Sequence, residues 1–168
     1  NQPLWPVAVR NDLQLGVAFK GRQTFAHGVG PVREQQRDLV GRRQLTEIDA
    51  EFWQKVMSIN LDSLLAVTRA AAPLLTAAGA KEGASIVNLA SLAGRKGGHP
   101  GSLAYSASKG AVLTWTRALA NELGPRGVRV NAVTPNLILG TSFHATHTTE
   151  ESARQTVAGI PLGRAGSP

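Results

Sequence analysis

Two short apolar runs, separated by one long helical stretch, leave this chain few ways to fold. Ala84-Ser85-Ile86-Val87-Asn88-Leu89-Ala90 is bounded by Gly83 and Ser91, and its length and branched residues read as a buried strand. Val128-Arg129-Val130-Asn131-Ala132-Val133 reads as a second strand. Between them, Tyr105 to Leu123 is rich in alanine and leucine and closes at Gly124-Pro125, a helix stop. Strands joined through a helix lie parallel, because a hairpin cannot hold a helix. Upstream, Thr46 is placed to cap a helix with Asp49 three residues on. Phe52, Val56, Ile59 and Leu64 then recur at near-helical spacing to about Leu75, with a kink or early end expected at Pro73. Helix, strand, helix, strand is the order of an α/β fold with a parallel sheet and flanking helices. Gly94–Gly101 reads as a mobile loop, and Glu150–Val157 as a last helix.

Composition removes several classes of function. The chain has 168 residues, enough for one domain, and no cysteine, so thiolate nucleophiles, disulfides and iron–sulfur clusters are excluded. His144 and His147 are three apart without a placed third ligand, so no metal site is expected. The net charge is +7, densest before Leu45. No run of Lys or Arg exceeds two, and there is one tyrosine to stack on a base, so a nucleic-acid partner is not expected. No membrane partner is expected, since no apolar run approaches the roughly 18–20 residues of a span. Residues 1–20 do not read as a secretory signal, which points to the cytoplasm. Trp53 and Trp115, on the two long helices, read as packing residues.

The chemistry concentrates on Tyr105 and Lys109. Four residues apart on a helix, they share a face one turn apart. A phenol titrates near 10 and is a poor base at neutral pH, and a nearby ammonium is expected to lower that value. Ser91 directly follows the first strand, at the carboxyl edge where open α/β sheets gather their active groups. The loop from Ser91 to Tyr105 is long enough to let the serine face the tyrosine.

Four motifs, in order and spacing, resemble the short-chain dehydrogenase/reductase family: Met57-Ser58-Ile59-Asn60-Leu61, Ile86-Val87-Asn88-Leu89-Ala90-Ser91, Tyr105-Ser106-Ala107-Ser108-Lys109, and Arg129-Val130-Asn131-Ala132-Val133-Thr134-Pro135. The likeness runs from about Leu39 to the end. It implies a partial Rossmann-like, doubly wound parallel sheet, and an NAD- or NADP-dependent oxidoreductase interconverting an alcohol and a carbonyl by hydride transfer. Tyr105 would be the acid/base. Lys109 would lower its pKa and bind the nicotinamide ribose. Ser91 would hold the substrate oxygen, and Asn60 would fix a water in a proton relay. Pro135, Ile138 and Thr141 would line the nicotinamide, with residues 140–165 as a lid over a small alcohol or carbonyl substrate. The resemblance also implies a homodimer or homotetramer, paired through the equivalents of residues 46–75 and 105–123, with Ala70, Ala71, Ala107 and Ala111 permitting close approach. Ser91 and Tyr105 stand one residue further apart than is commonest in the family, and Asn136 replaces the usual glycine after the proline.

Residues 1–44 depart from that pattern. No Gly-x-x-x-Gly-x-Gly turn is present to take a cofactor pyrophosphate at a helix N-terminus. A short strand is expected around Leu13–Phe19, within loop or poorly ordered chain. Arg33-Glu34-Gln35-Gln36-Arg37 can be encoded as CGT GAA CAA CAG CGG. Moved by one nucleotide they read GTG AAC AAC AGC GGG, or Val-Asn-Asn-Ser-Gly, which approaches the family's missing Asn-Asn-Ala-Gly motif. Residues 1–37 are therefore expected to be out of frame, with an unrelated or divergent N-terminal segment as the alternative, and 38–168 to be the catalytic part of the domain. A competing expectation is a catalytically inactive fragment that only associates through its helices.

Overall fold

A computed structural model describes residues 15–18 (as a strand), 42–141, 144–145 and 148–168. The rest of the segment expected to be out of frame, together with Phe143 and His147, lies outside the described residues. The chain forms two compact units, 1–134 and 135–168.

The first unit is built on a three-stranded sheet in the order β1-β2-β3. Strands β2 (Ala84–Leu89) and β3 (Val128–Val133) are parallel, in a register that pairs Ile86 with Val130 and Leu89 with Val133. The expected parallel pair is therefore present. Strand β1 (Leu15–Ala18) falls inside the expected stretch but runs antiparallel to β2, so the sheet is mixed rather than wholly parallel. An antiparallel edge strand on a parallel sheet is common, since it needs no crossover.

Helices α1 (Ala50–Met57) and α2 (Ser63–Gly79) are joined by a π-helical turn, Ser58–Asp62. The cap of α1 is Asp49 itself, not Thr46: its carboxylate accepts from the Phe52 amide at 2.7 Å. The capping box belongs to the preceding 3₁₀ turn, between Gln44 and Glu47. Pro73 does not end α2, which continues to Gly79. Pro73 and Arg69, whose carbonyl the proline cannot serve, are both exposed to water. The interruption comes earlier, at the π turn. A short helix α3 (Ala93–Lys96) opens the expected loop, and α4 (Leu103–Leu123) is the predicted long helix, two residues longer at its start.

Both long helices cover one face of the sheet. Ala71 and Leu75 of α2, and Leu119 and Leu123 of α4, form one core with Ala84, Ile86, Val128 and Val130. Phe52 and Val56 of α1 pack on Ala104 at the start of α4. Trp115 fills the seam as expected, whereas Trp53 is 37% exposed. Ala50–Gly79 is long and apolar enough to cross a membrane by length and composition. Phe52, Val56, Leu64, Ala71 and Leu75 of this segment are buried, while Trp53 and Leu65 remain exposed. The opposite sheet face is open: Val87 is 37% and Val133 47% exposed. Parallel strands are normally buried on both faces, so within the described residues this is half of a doubly wound arrangement.

In the second unit, Ile138 bridges Gly166 in parallel, with Leu139 N–H donating to the Gly166 carbonyl at 3.0 Å. A Cβ on Gly166 would fall 2.5 Å from the tip of the Ile138 side chain, which would have to turn aside to admit it. Helix α5 (Glu150–Ala158) is the predicted last helix, capped by Thr149.

Candidate active site

The sheet's carboxyl edge and the first turns of α4 bring Ser91, Tyr105 and Lys109 together. Ser91 leaves β2 one residue after Ala90, whose amide extends the ladder to the Val133 carbonyl at 2.9 Å. Its hydroxyl oxygen accepts from the Ala93 amide at 3.2 Å. Ser91 therefore directs its proton elsewhere, and it hydrogen-bonds the Tyr105 side chain. Helix α3 returns the chain to α4 at close range. A Cβ on Gly94 would fall 2.5 Å from the Lys109 carbonyl carbon and 2.7 Å from the Gly110 nitrogen. Only glycine lets these backbones touch, and that contact carries Ser91 to the tyrosine.

Lys109 lies one turn beyond Tyr105 and is 4% exposed. Its ammonium sits 5.9 Å from the Tyr105 ring centroid and donates to the Leu89 carbonyl at 2.9 Å. No carboxylate faces it among the described residues. Burial consequently lowers its pKa from 10.5 to about 8. Tyr105 differs from expectation. Burial raises its pKa above 10.0, and the counteracting influence is the Ser91 hydroxyl rather than Lys109. The ammonium is turned toward Leu89, and the partly buried phenol is held where loss of hydration disfavours its anion.

Asn60 occupies the π turn and is buried. Its Nδ2 donates to Ser108 Oγ at 3.0 Å, and Ser108 donates in turn to the Tyr105 carbonyl at 2.7 Å. The free end of the turn is taken up locally, by a hydrogen bond from Ser63 Oγ to the Ile59 carbonyl. All four expected catalytic residues thus belong to one connected region of the first unit. Pro135, Ile138 and Thr141 belong to the second. There Thr141 donates to the Ile138 carbonyl at 3.1 Å, accepts from the His144 amide at 3.3 Å, and lines a cavity of about 530 Å³ with Thr148 and Glu150.

Three contributors went unnoticed in the sequence. Ser108 and Asn88 are fully buried, and Asn88 Nδ2 donates to Thr116 Oγ1 at 2.9 Å. Thr116 passes its proton to the Val112 carbonyl at 2.7 Å, repeating the Asn60–Ser108–Tyr105 pattern further along α4. An asparagine inside an apolar strand, and another inside a helix, were the available signals.

Residues 25–168 match a family model described as enoyl-(acyl carrier protein) reductase. The chain belongs to the short-chain dehydrogenase/reductase family. It is 38% identical over 125 residues to a 3-oxoacyl-[acyl-carrier-protein] reductase, FabG, of Thermotoga maritima, covering 74% of this chain and 48% of that protein. A solved structure from Beutenbergia cavernae, described as an NAD(P)-dependent gluconate 5-dehydrogenase with bound NADP, aligns with TM-score 0.69 and 35% identity over 77% of this chain and 50% of that one. A 3-ketoacyl-(acyl-carrier-protein) reductase from Brucella melitensis, complexed with NADH, aligns with TM-score 0.66 and 28% identity over 76% and 50%. The chain spans about half the length of these relatives. They are Rossmann-fold proteins of the same family, in keeping with the parallel β2–β3 pair and its flanking helices.

Proposed function

We propose that this chain carries the catalytic part of an NAD(P)-dependent oxidoreductase that interconverts an alcohol and a carbonyl, with Tyr105 as acid/base. The observation that carries the reading is the hydrogen bond of Ser91 to Tyr105, with the Lys109 ammonium beside the same ring. Ser91 accepts from a backbone amide and so has its proton to give, and Tyr105 has its own. A carbonyl oxygen placed before both would be held by one hydroxyl and protonated by the other. A raised phenol pKa keeps Tyr105 protonated at neutral pH, which suits the reductive direction. Oxidation of an alcohol would call on the phenolate and so favour alkaline pH.

The residues present fit the nicotinamide-ribose end of a dinucleotide. Lys109 makes one hydrogen bond, to Leu89, and a buried ammonium has further protons to give to hydroxyls. The dinucleotide, when bound, supplies or accepts the hydride. Asn60 and Lys109 are the groups through which Tyr105 would regain its proton. The pyrophosphate end has no glycine-rich turn among the described residues. The relatives, a 3-oxoacyl-[acyl-carrier-protein] reductase and a gluconate 5-dehydrogenase, make 3-oxoacyl thioesters and keto sugar acids the probes to try. Consumption of reduced dinucleotide with either probe, lost in Tyr105→Phe by at least about a hundredfold, is the expected result. A folded chain that neither binds nor consumes dinucleotide would overturn the reading. The open sheet face favours the remaining one, a fragment that only associates through its helices.

A further inference from the structure

Ser108 is fully buried and both hydrogen-bonding capacities of its hydroxyl are used. A backbone carbonyl can only accept, so Ser108 must donate to the Tyr105 carbonyl. Its lone pair then faces Asn60, which must present Nδ2. The Asn60 amide is thereby fixed in one sense, and its Oδ1, buried and without a partner, is turned away as an acceptor. We infer that Ser108 is a positioning residue: its hydroxyl keys the turn of α4 that carries Tyr105 and Lys109 to the π turn that carries Asn60, and sets which atom of that amide is left free.

Two features of the geometry bear this out. The bond spans 48 residues, so it joins separate elements rather than neighbours on one helix. The bond to Tyr105 runs from residue i to i−3 on the residue that holds the reactive phenol. Serine back-bonding of this kind bends helices when it acts alone, and here the second helix restrains it. The keyed turn holds the partly buried Tyr105 ring in place against Ser91. The relay through Thr116 secures the same helix further along but touches neither Tyr105 nor Asn60.

The catalytic meaning of this clamp rests on the oxidoreductase reading, but its test does not. The chain has one tyrosine, so its phenolate absorbance reports Tyr105 alone. Ser108→Ala is expected to admit water and bring the ionisation midpoint measurably down toward 10. Ser108→Thr, which keeps the hydroxyl, is expected to leave it nearer the starting value. Asn60→Ala breaks the key from the other side and should reproduce the fall, which guards against a Ser108→Ala chain that does not fold. Thr116→Val loosens α4 elsewhere and should not. An unchanged midpoint in folded Ser108→Ala or Asn60→Ala, or an equal fall in Thr116→Val, overturns the clamp. Failure of the oxidoreductase reading would appear instead as absence of dinucleotide binding with these midpoints intact.

Discussion

The titration of Tyr105 gives the site its sharpest prediction. In the folded chain burial raises the phenol above 10.0, and the Ser91 hydroxyl is the one influence that opposes it. Ser91→Ala removes a donor to the phenolate while leaving the surroundings apolar. A hydrogen bond to a charged group contributes about 1.5–3 kcal/mol, and one pH unit corresponds to about 1.4 kcal/mol. The midpoint is therefore expected to rise by about 1–2 units, less where water enters the space of the lost hydroxyl. The direction is opposite to that of Ser108→Ala, although both variants delete one serine hydroxyl near the same ring. The assay is a spectrophotometric pH titration of the native chain, with a second titration in urea. Unfolded, every variant should titrate near 10. The linkage has a definite sign: a folded-state value above the unfolded one favours the native state below pH 10, and that advantage is lost as pH rises through the folded midpoint. Alkaline unfolding should therefore accompany ionisation. A native midpoint at or below 10, or no rise in Ser91→Ala, refutes the placement of this phenol.

Lys109→Met is expected to stabilise the chain at neutral pH. The gap between 10.5 and about 8, at about 1.4 kcal/mol per pH unit, costs the native state about 3 kcal/mol, from which the lost bond to Leu89 must be deducted. A depressed ammonium makes stability rise with pH between those two values, so the benefit of Met should fade by pH 10.5. Urea melts at both ends of that window check it. Gly94→Ala is expected to cost about 1–3 kcal/mol, because its Cβ meets backbone that cannot yield. Gly124→Ala, which meets nothing within 4 Å, is the control and should be near neutral in the same melts.

The sequence is most legible where local pattern and packing agree. The runs around Ile86 and Val130 are strands because branched residues alternate toward one core, and the stretch from Tyr105 to Leu123 is a helix with a clear stop. Tyr105 and Lys109 are readable because helical spacing alone puts them on one face. The π turn is not, since an i to i+5 bond leaves no residue signature beyond an asparagine poorly suited to a helix interior. Nor is the charge balance. Spacing says that an ammonium lies near a phenol, but the Leu89 carbonyl that turns it aside comes from a strand twenty residues earlier. Desolvation of Tyr105 likewise depends on tertiary packing that its own helix does not encode. Thr46, the expected cap, falls inside the 3₁₀ turn Leu45–Glu47, and the backbone geometry gives the capping role to Asp49 instead.

The strand that opens one face to solvent is also the one that builds the site, and its alternation explains how both can hold. Along β2, Ile86 and Asn88 point toward the helices while Val87 points away. Asn88 pins α4 through Thr116, Leu89 receives the Lys109 ammonium, and Ser91 follows at the strand's end. The anchors of the site therefore come from the covered face and the carboxyl edge, and none from the open side. A polar replacement such as Val87→Lys should then improve solubility without moving the Tyr105 midpoint. A midpoint that did move would mean that the open face helps to hold the strand in register, and that the site is less self-supporting than its hydrogen bonds imply.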